Sequence, residues 1–291
     1  MTAYTNKIGA HGLVWAGGWS ESEARYSIES TKNAGFDVIE ILLMNPRNID
    51  ASMTRRLLEE YEVEATASLG LALDTDVSSE DPDTVRAGER LLHEALSVAR
   101  DFGASYLGGV LYGALNKYNA PVTERGRTHS VAAVQKLCDE AAGSGITLGL
   151  EIVNRYESNL LNTASQAVDY IREIDRSNIF VHLDTYHMNI EEPDSYSAVL
   201  TCGSLLGYVH VGESHRGYLG SGNVDFPSLF RGLAAIGYTG TITFESFSSK
   251  VLMPELTNSL AIWRDLWGDS ADLAAQARSF IDAQLRAASA L

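Results

Sequence analysis

Short runs of apolar, β-branched and aromatic residues alternate along this chain with longer segments whose apolar positions recur at helical spacing. The runs at 7–13, 38–42, 64–69, 105–109, 147–152, 179–183, 206–211 and 241–244 predict eight strands. Segments 21–34, 52–61, 83–102, 123–142, 163–174, 226–236 and 254–267 predict helices, with a shorter one at 195–200. Start and stop signals frame several of them. Ser20 precedes a helix that ends at Gly35, and Asp81 and Pro82 open the third. In "NAGFDVIE", "DFGASYLG" and "GSGITLGLE" a glycine just past a helix leads directly into a strand, so one connection is used three times.

Eight strand and helix alternations in 291 residues come to about 36 residues per unit, which fits a closed (β/α)8 barrel of roughly 250 residues with insertions. An open doubly wound sheet that binds a dinucleotide would carry G-x-G-x-x-G after its first strand, and "AHGLVWAGGWS" lacks that spacing. The expected fold class is therefore α/β, a TIM barrel forming one domain over residues 1–291, since no composition break or linker divides the chain. The tail "SADLAAQARSFIDAQLRAASAL" reads as a C-terminal amphipathic helix, suited either to packing on the barrel or to a subunit contact.

Composition narrows the class. The chain is 45% hydrophobic and 21% charged, which excludes intrinsic disorder and small disulfide scaffolds. Its 38 acidic against 22 basic residues, a net charge of -16, argue against nucleic acid and membrane surfaces as partners. Residues 1–8 lack a basic stretch followed by an apolar core, and no apolar run nears the ~20 residues that span a bilayer, so a cytoplasmic enzyme is expected. Cys138 and Cys202 show no metal or redox spacing and read as small buried residues.

Catalytic groups of such barrels sit at the C-terminal ends of strands. "ITLGLE" ends in Glu151, "IFVHLD" in Asp184, "LGYVH" in His210 and "TITFE" in Glu245, at separations of 33, 26 and 35 residues. Each step is one β/α unit, so the four side chains meet at one mouth. Single strand-end charges paired with Lys or Arg would be unremarkable, but four in consecutive units point to a metal site. Three carboxylates and an imidazole suit Mn²⁺ or Mg²⁺, with Co²⁺ tolerated. Glu157, His187 and Arg216 follow on the same loops and are expected to contact substrate rather than act as solvated charges or a helix cap. Trp15, Tyr112 and Phe247 are candidates for the pocket wall, with core packing the competing role; His11, inside the first strand, reads as a barrel-interior residue rather than a ligand.

The motifs "LGLEIVNRYESNLLNT", "VHLDTYHMNIEE", "YVHVGESHRGYLGSGNVDF" and "GTITFESF", with "NAGFDVIE", resemble the ketose 3-epimerases of the xylose-isomerase-like TIM-barrel superfamily from Gly35 to Phe247. The resemblance implies one divalent ion held by Glu151, Asp184, His210 and Glu245, with Glu151 and Glu245 also the acid/base pair. It implies that Glu157, His187 and Arg216 hold the O1 to O3 end of a free ketose, and that the protein is a homodimer or homotetramer. Ser68, closing the third strand, and "LGGVLYG" in the fourth depart from some members where the wall meets the sugar's distal end.

The chemistry agrees. Inverting C3 of a ketose requires two acid/base groups, one on each face of the carbon, and a cation that stabilises a cis-enediolate. D-fructose/D-allulose is the expected pair, with D-tagatose/D-sorbose and L-ribulose/L-xylulose as further candidates. The alternatives are an aldose-ketose or hydroxypyruvate-type isomerase on the same barrel and a metal-dependent sugar-binding protein. A sugar phosphate is disfavoured because "RGYLGSGN" offers only Arg216 as a cation, and abasic-site DNA cleavage because seven histidines and an acidic surface do not suit it.

Overall fold

A computed structural model describes residues 4–290; residues 1–3 and Leu291, part of the leader and tail expectations, lie outside the described residues. Eight parallel strands close into a barrel in sequential order: β1 Ile8–His11, β2 Val38–Leu42, β3 Glu64–Leu71, β4 Tyr106–Ala114, β5 Thr147–Glu151, β6 Ile179–Asp184, β7 Leu206–Val211 and β8 Thr241–Phe244. The outer helices are α1 Glu21–Asn33, α2 Ala51–Tyr61, α3 Pro82–Phe102, α4 Glu124–Ala141, α5 Ala164–Ile174, α6 Thr185–Glu191, α7 Ser195–Cys202, α8 Phe226–Ala235, α9 Pro254–Ser259 and α10 Ser270–Ser289. No helix among the described residues is long and apolar enough to cross a membrane.

Local chemistry accounts for the boundaries. Ser20 and Glu23 form a reciprocal capping box at α1. Gly35, Gly103 and Gly145 take φ of 79°, 91° and 75°, the left-handed conformation that lets the chain leave each helix and enter the next strand. The strand in "YLGGVLYGA" continues to Ala114, beyond the expected end at 109, because all nine of its residues are buried.

Two departures shape the mouth. The helix expected over 254–267 stops at Ser259: Ala261 takes φ 54°, and the Ile262 amide donates to Thr257 O at 2.9 Å, turning the chain. Leu252, just before this segment, and Ile262 within it then pack with Leu13 and Phe247 in a small cluster separate from the main core. Helix α6, absent from the sequence expectation, follows β6 without a loop because Asp184 is its N-cap, accepting from the Tyr186 amide at 2.7 Å.

The C-terminal helix packs on the barrel. It buries Leu273, Ala274, Ala277, Ile281 and Leu285, sets Phe280 edge-on to Phe226 of α8 at 5.0 Å, and donates from Arg278 to Gly35 O at 2.8 Å. Inside the barrel Tyr106 and Tyr208 stack at 4.3 Å. The Tyr208 hydroxyl lies 2.9 Å from Thr66 Oγ1 and 2.6 Å from Thr243 Oγ1. This polar layer is the floor beneath the mouth.

Candidate active site

The ends of β5 to β8 bring Glu151, Asp184, His210 and Glu245 together, with a donor atom from each all within 4.8 Å of one another. His210 Nδ1 lies 3.5 Å from Glu151 Oε1 and 3.4 Å from Glu245 Oε1. It is buried and has no hydrogen-bond partner, a cost that an unpaired polar atom bears unless something else binds it. A cation among these oxygens would meet that need, and the set of three carboxylates and one imidazole suits a hard divalent ion. The residues present therefore fit a metal ion.

The remaining expected contacts surround this group. Glu157, His187, Arg216, Ser68 and Phe247 line one cavity together with Glu151, His210 and Glu245. Arg216 pairs with Asp184 Oδ2 at 3.1 Å and with Glu245. Its guanidinium lies 3.8 Å from the centre of the Tyr186 ring and 4.9 Å from that of Phe247, so it is clamped between aromatic faces. Its backbone takes φ 63°, and its carbonyl accepts from Ser246 Oγ, which in turn accepts from Trp267 Nε1 at 2.7 Å.

His187 is set as a donor. Its Nδ1 accepts from the backbone amide of Asn154 at 3.2 Å, which leaves the proton of the neutral ring on Nε2. Burial pushes its pKa down to about 3, so the ring is neutral. Nε2 points to Asp184 Oδ2 at 3.5 Å and Glu151 Oε1 at 3.8 Å. The Asn154 side chain donates to Glu157 at 2.8 Å.

The two glutamates of the expected acid/base pair stand in different electrostatic surroundings. Burial raises Glu151 to about 7 against the pull of His210. Burial also raises Glu245, but the charges of Arg216 and His210 outweigh it and hold this carboxyl below its ordinary range. In the metal-free protein one is poised to carry a proton and the other to accept one.

Two expected wall residues lie elsewhere. Trp15 is buried in the main core outside the cavity lining. Tyr112 faces away from the cavity and donates to the carbonyl of Glu151 at 2.9 Å, supporting the strand end from behind. The wall is built instead from Leu13, Leu42, Val110, Leu115, Leu256 and Leu260.

His11 also lines the cavity; its Nε2 lies 3.7 Å from Glu40 Oε1 and 4.0 Å from Glu245 Oε1. Sequence reasoning passed over Glu40, Asn154 and His182. Glu40 is wholly buried with Oε2 2.8 Å from His210 Nε2. His182 lies beside Glu151 in the β5–β6 register, its ring 4.2 Å from that of His210, and neither of its nitrogens has a partner. A charged or imidazole side chain inside an apolar strand, as in "DVIEIL" and "IFVHLD", was the available signal.

A family model described as Xylose isomerase-like TIM barrel matches residues 28–284. The chain is 53% identical to an L-ribulose 3-epimerase of Methylomonas sp. (strain DH-1), over 94% of this chain and 96% of that protein. It is 50% identical to a ketose 3-epimerase of Arthrobacter globiformis, over 97% of both. A crystal structure of D-allulose 3-epimerase from Methylomonas sp. in complex with D-allulose superposes with a TM-score of 0.95 at 51% identity, covering 97% of this chain and 98% of that one.

Proposed function

From the premise that this chain belongs to the xylose isomerase-like TIM-barrel family, and within it to the ketose 3-epimerases, we propose that it inverts C3 of a free ketose with the help of one divalent ion. D-fructose/D-allulose is the first candidate pair, supported by the similarity to a structure that holds D-allulose. L-ribulose/L-xylulose stands beside it on the similarity to an L-ribulose 3-epimerase, and D-tagatose/D-sorbose follows. The observation that carries the reading is the four-donor cluster around the unpartnered His210 Nδ1, enclosed in the same cavity as Glu157, His187 and Arg216.

Glu151, Asp184, His210 and Glu245 would hold the ion, Mn²⁺ or Mg²⁺ with Co²⁺ tolerated. When bound it supplies Lewis acidity toward the C2 carbonyl and charge that offsets the developing enediolate. Glu151 at the end of β5 and Glu245 just past β8 stand at the two ends of a four-strand arc, with Asp184 and His210 between them. That arrangement offers an acid/base group to each face of C3. Glu245, beside the Arg216 guanidinium, removes the C3 proton of one epimer, and Glu151 delivers one to the opposite face; for the other epimer the roles exchange. His187 donates through Nε2–H to a substrate oxygen, Arg216 binds oxygen at the same end, and Glu157 accepts from a hydroxyl. The apolar wall excludes water from the carbanionic carbon. The neutral polyol needs no basic surface to guide it, in keeping with a net charge of -16, and the assembly is a homodimer or homotetramer in the cytoplasm.

Stripping the protein with a chelator and restoring Mn²⁺, Mg²⁺ or Co²⁺ singly before assay on a ketose panel tests this reading. Activity should vanish and return with a divalent ion, and the product should be a second ketose. Activity indifferent to chelation, or an aldose product, would overturn it.

A further inference from the structure

His210 sits between two different environments. Its Nδ1 faces Glu151 and Glu245, while Nε2 lies 2.8 Å from Oε2 of Glu40 on β2. Strands β2 and β7 are not neighbours in the barrel, so Glu40 reaches across the interior to meet the ring. Glu40 is wholly buried and has no lysine or arginine partner among the described residues; its nearest ionisable partners are His210 and, at 3.7 Å from Oε1, His11. Burying a carboxylate is costly, and a hydrophobic residue would fill the same place in an ordinary barrel strand. Its presence calls for a function.

His11 stands beside the other oxygen of the carboxylate. Its Nδ1 accepts from the backbone amide of Leu13 at 3.2 Å, so the neutral ring carries its proton on Nε2, which lies 3.7 Å from Glu40 Oε1 and 4.0 Å from Glu245 Oε1, beyond hydrogen-bond distance. His11 and Glu40 are also direct register partners in the β1–β2 pair. Glu40 thus engages His210 Nε2 through one oxygen and leaves the other without a hydrogen-bond partner.

We infer that Glu40 is a positioning residue: its acceptor-only carboxylate holds the His210 proton on Nε2, thereby presenting Nδ1 as the free donor to the divalent ion. This rests on the metal site proposed above. A histidine ligand whose second nitrogen donates to a carboxylate is fixed in tautomer and ring orientation, and loss of such a partner typically weakens metal binding by about 10–100-fold. Glutamine does not reproduce this role. With its oxygen toward His210 it offers a neutral acceptor in place of a charge-assisted one and sets its NH₂ opposite the His11 Nε2–H; flipped, its NH₂ asks His210 Nε2 to accept, which moves the ring proton to Nδ1 and blocks the ligand.

The test is Mn²⁺ affinity, measured by the electron paramagnetic resonance signal of free Mn²⁺, for the parent, Glu40→Gln and Thr66→Val. Thr66 is the β3 register partner of Glu40 and bonds to the Tyr208 hydroxyl rather than to His210, so its variant controls for a general loosening of the buried layer. Glu40→Gln should bind Mn²⁺ about 10–100-fold more weakly, with Thr66→Val staying within about threefold of the parent. Glu40→Gln binding within about threefold of the parent, or Thr66→Val losing as much as Glu40→Gln, would overturn the assignment while leaving the metal site standing. A parent that fails to bind Mn²⁺ would overturn both. A second measurement needs no variant: ¹⁵N NMR of the parent loaded with Mg²⁺ should show the His210 ring proton on Nε2, and a proton on Nδ1 would refute the inference even if Glu40→Gln does not fold.

Discussion

Glu151 and Glu245 are the same residue type on the same barrel rim, yet their surroundings drive their proton affinities apart. Burial sets the direction at Glu151, whereas at Glu245 the charges of Arg216 and His210 together outweigh it. Each should therefore be indispensable in its own right. Glu151→Gln and Glu245→Gln, assayed at saturating Mn²⁺ with bound metal measured in parallel, should each lower kcat by on the order of 10²–10⁴-fold; a variant that keeps most of its turnover would contradict the pairing. All four proposed metal ligands were readable in the sequence, because a polar residue that ends an apolar run states its own position on a barrel rim. Glu40 and Asn154 were harder to see. Their importance lies in partners 170 and 33 residues away, and only the closed barrel brings those partners together. Trp15 and Tyr112 stood between pocket wall and core packing because aromatic content alone does not reveal which side of a strand faces the cavity.

The strands and the helices preceding them were legible because each carries a local signal, such as the Ser20 capping box or the left-handed glycines at the helix ends. The mouth was less so. Residues after Ser259 keep a helix-like apolar pattern, but tertiary packing of Ile262 against Leu13 and Phe247 takes over once the chain turns at Ala261. The result is a short cap, α9, whose Leu256, with Leu260 just beyond it, forms part of the cavity wall. These two side chains should influence which sugar fits without touching the proposed ligands. Shortening both to alanine is expected to change the ratio of kcat/KM between six- and five-carbon ketoses by about tenfold or more, with Mn²⁺ affinity unchanged. A constant ratio across a ketose panel would assign sugar discrimination to another part of the wall, such as Ser68.

For the whole molecule, the closed barrel places four consecutive strand ends on one rim, and α10 completes the outer ring by joining α8 to the first helix-to-strand turn. Acidic residues are in excess across the chain, but at the rim they are gathered around Arg216 and an unsatisfied imidazole nitrogen. This arrangement suits a divalent cation and an uncharged sugar. Incubating the Mn²⁺-loaded protein with D-fructose, and separately with L-ribulose, in D₂O and following the products by NMR tests the proposed removal of the C3 proton and its replacement from solvent most directly. A second ketose with deuterium at C3 is expected from at least one of the two; a C3 epimer that retains its original hydrogen, or an aldose as the product, would contradict the proposal.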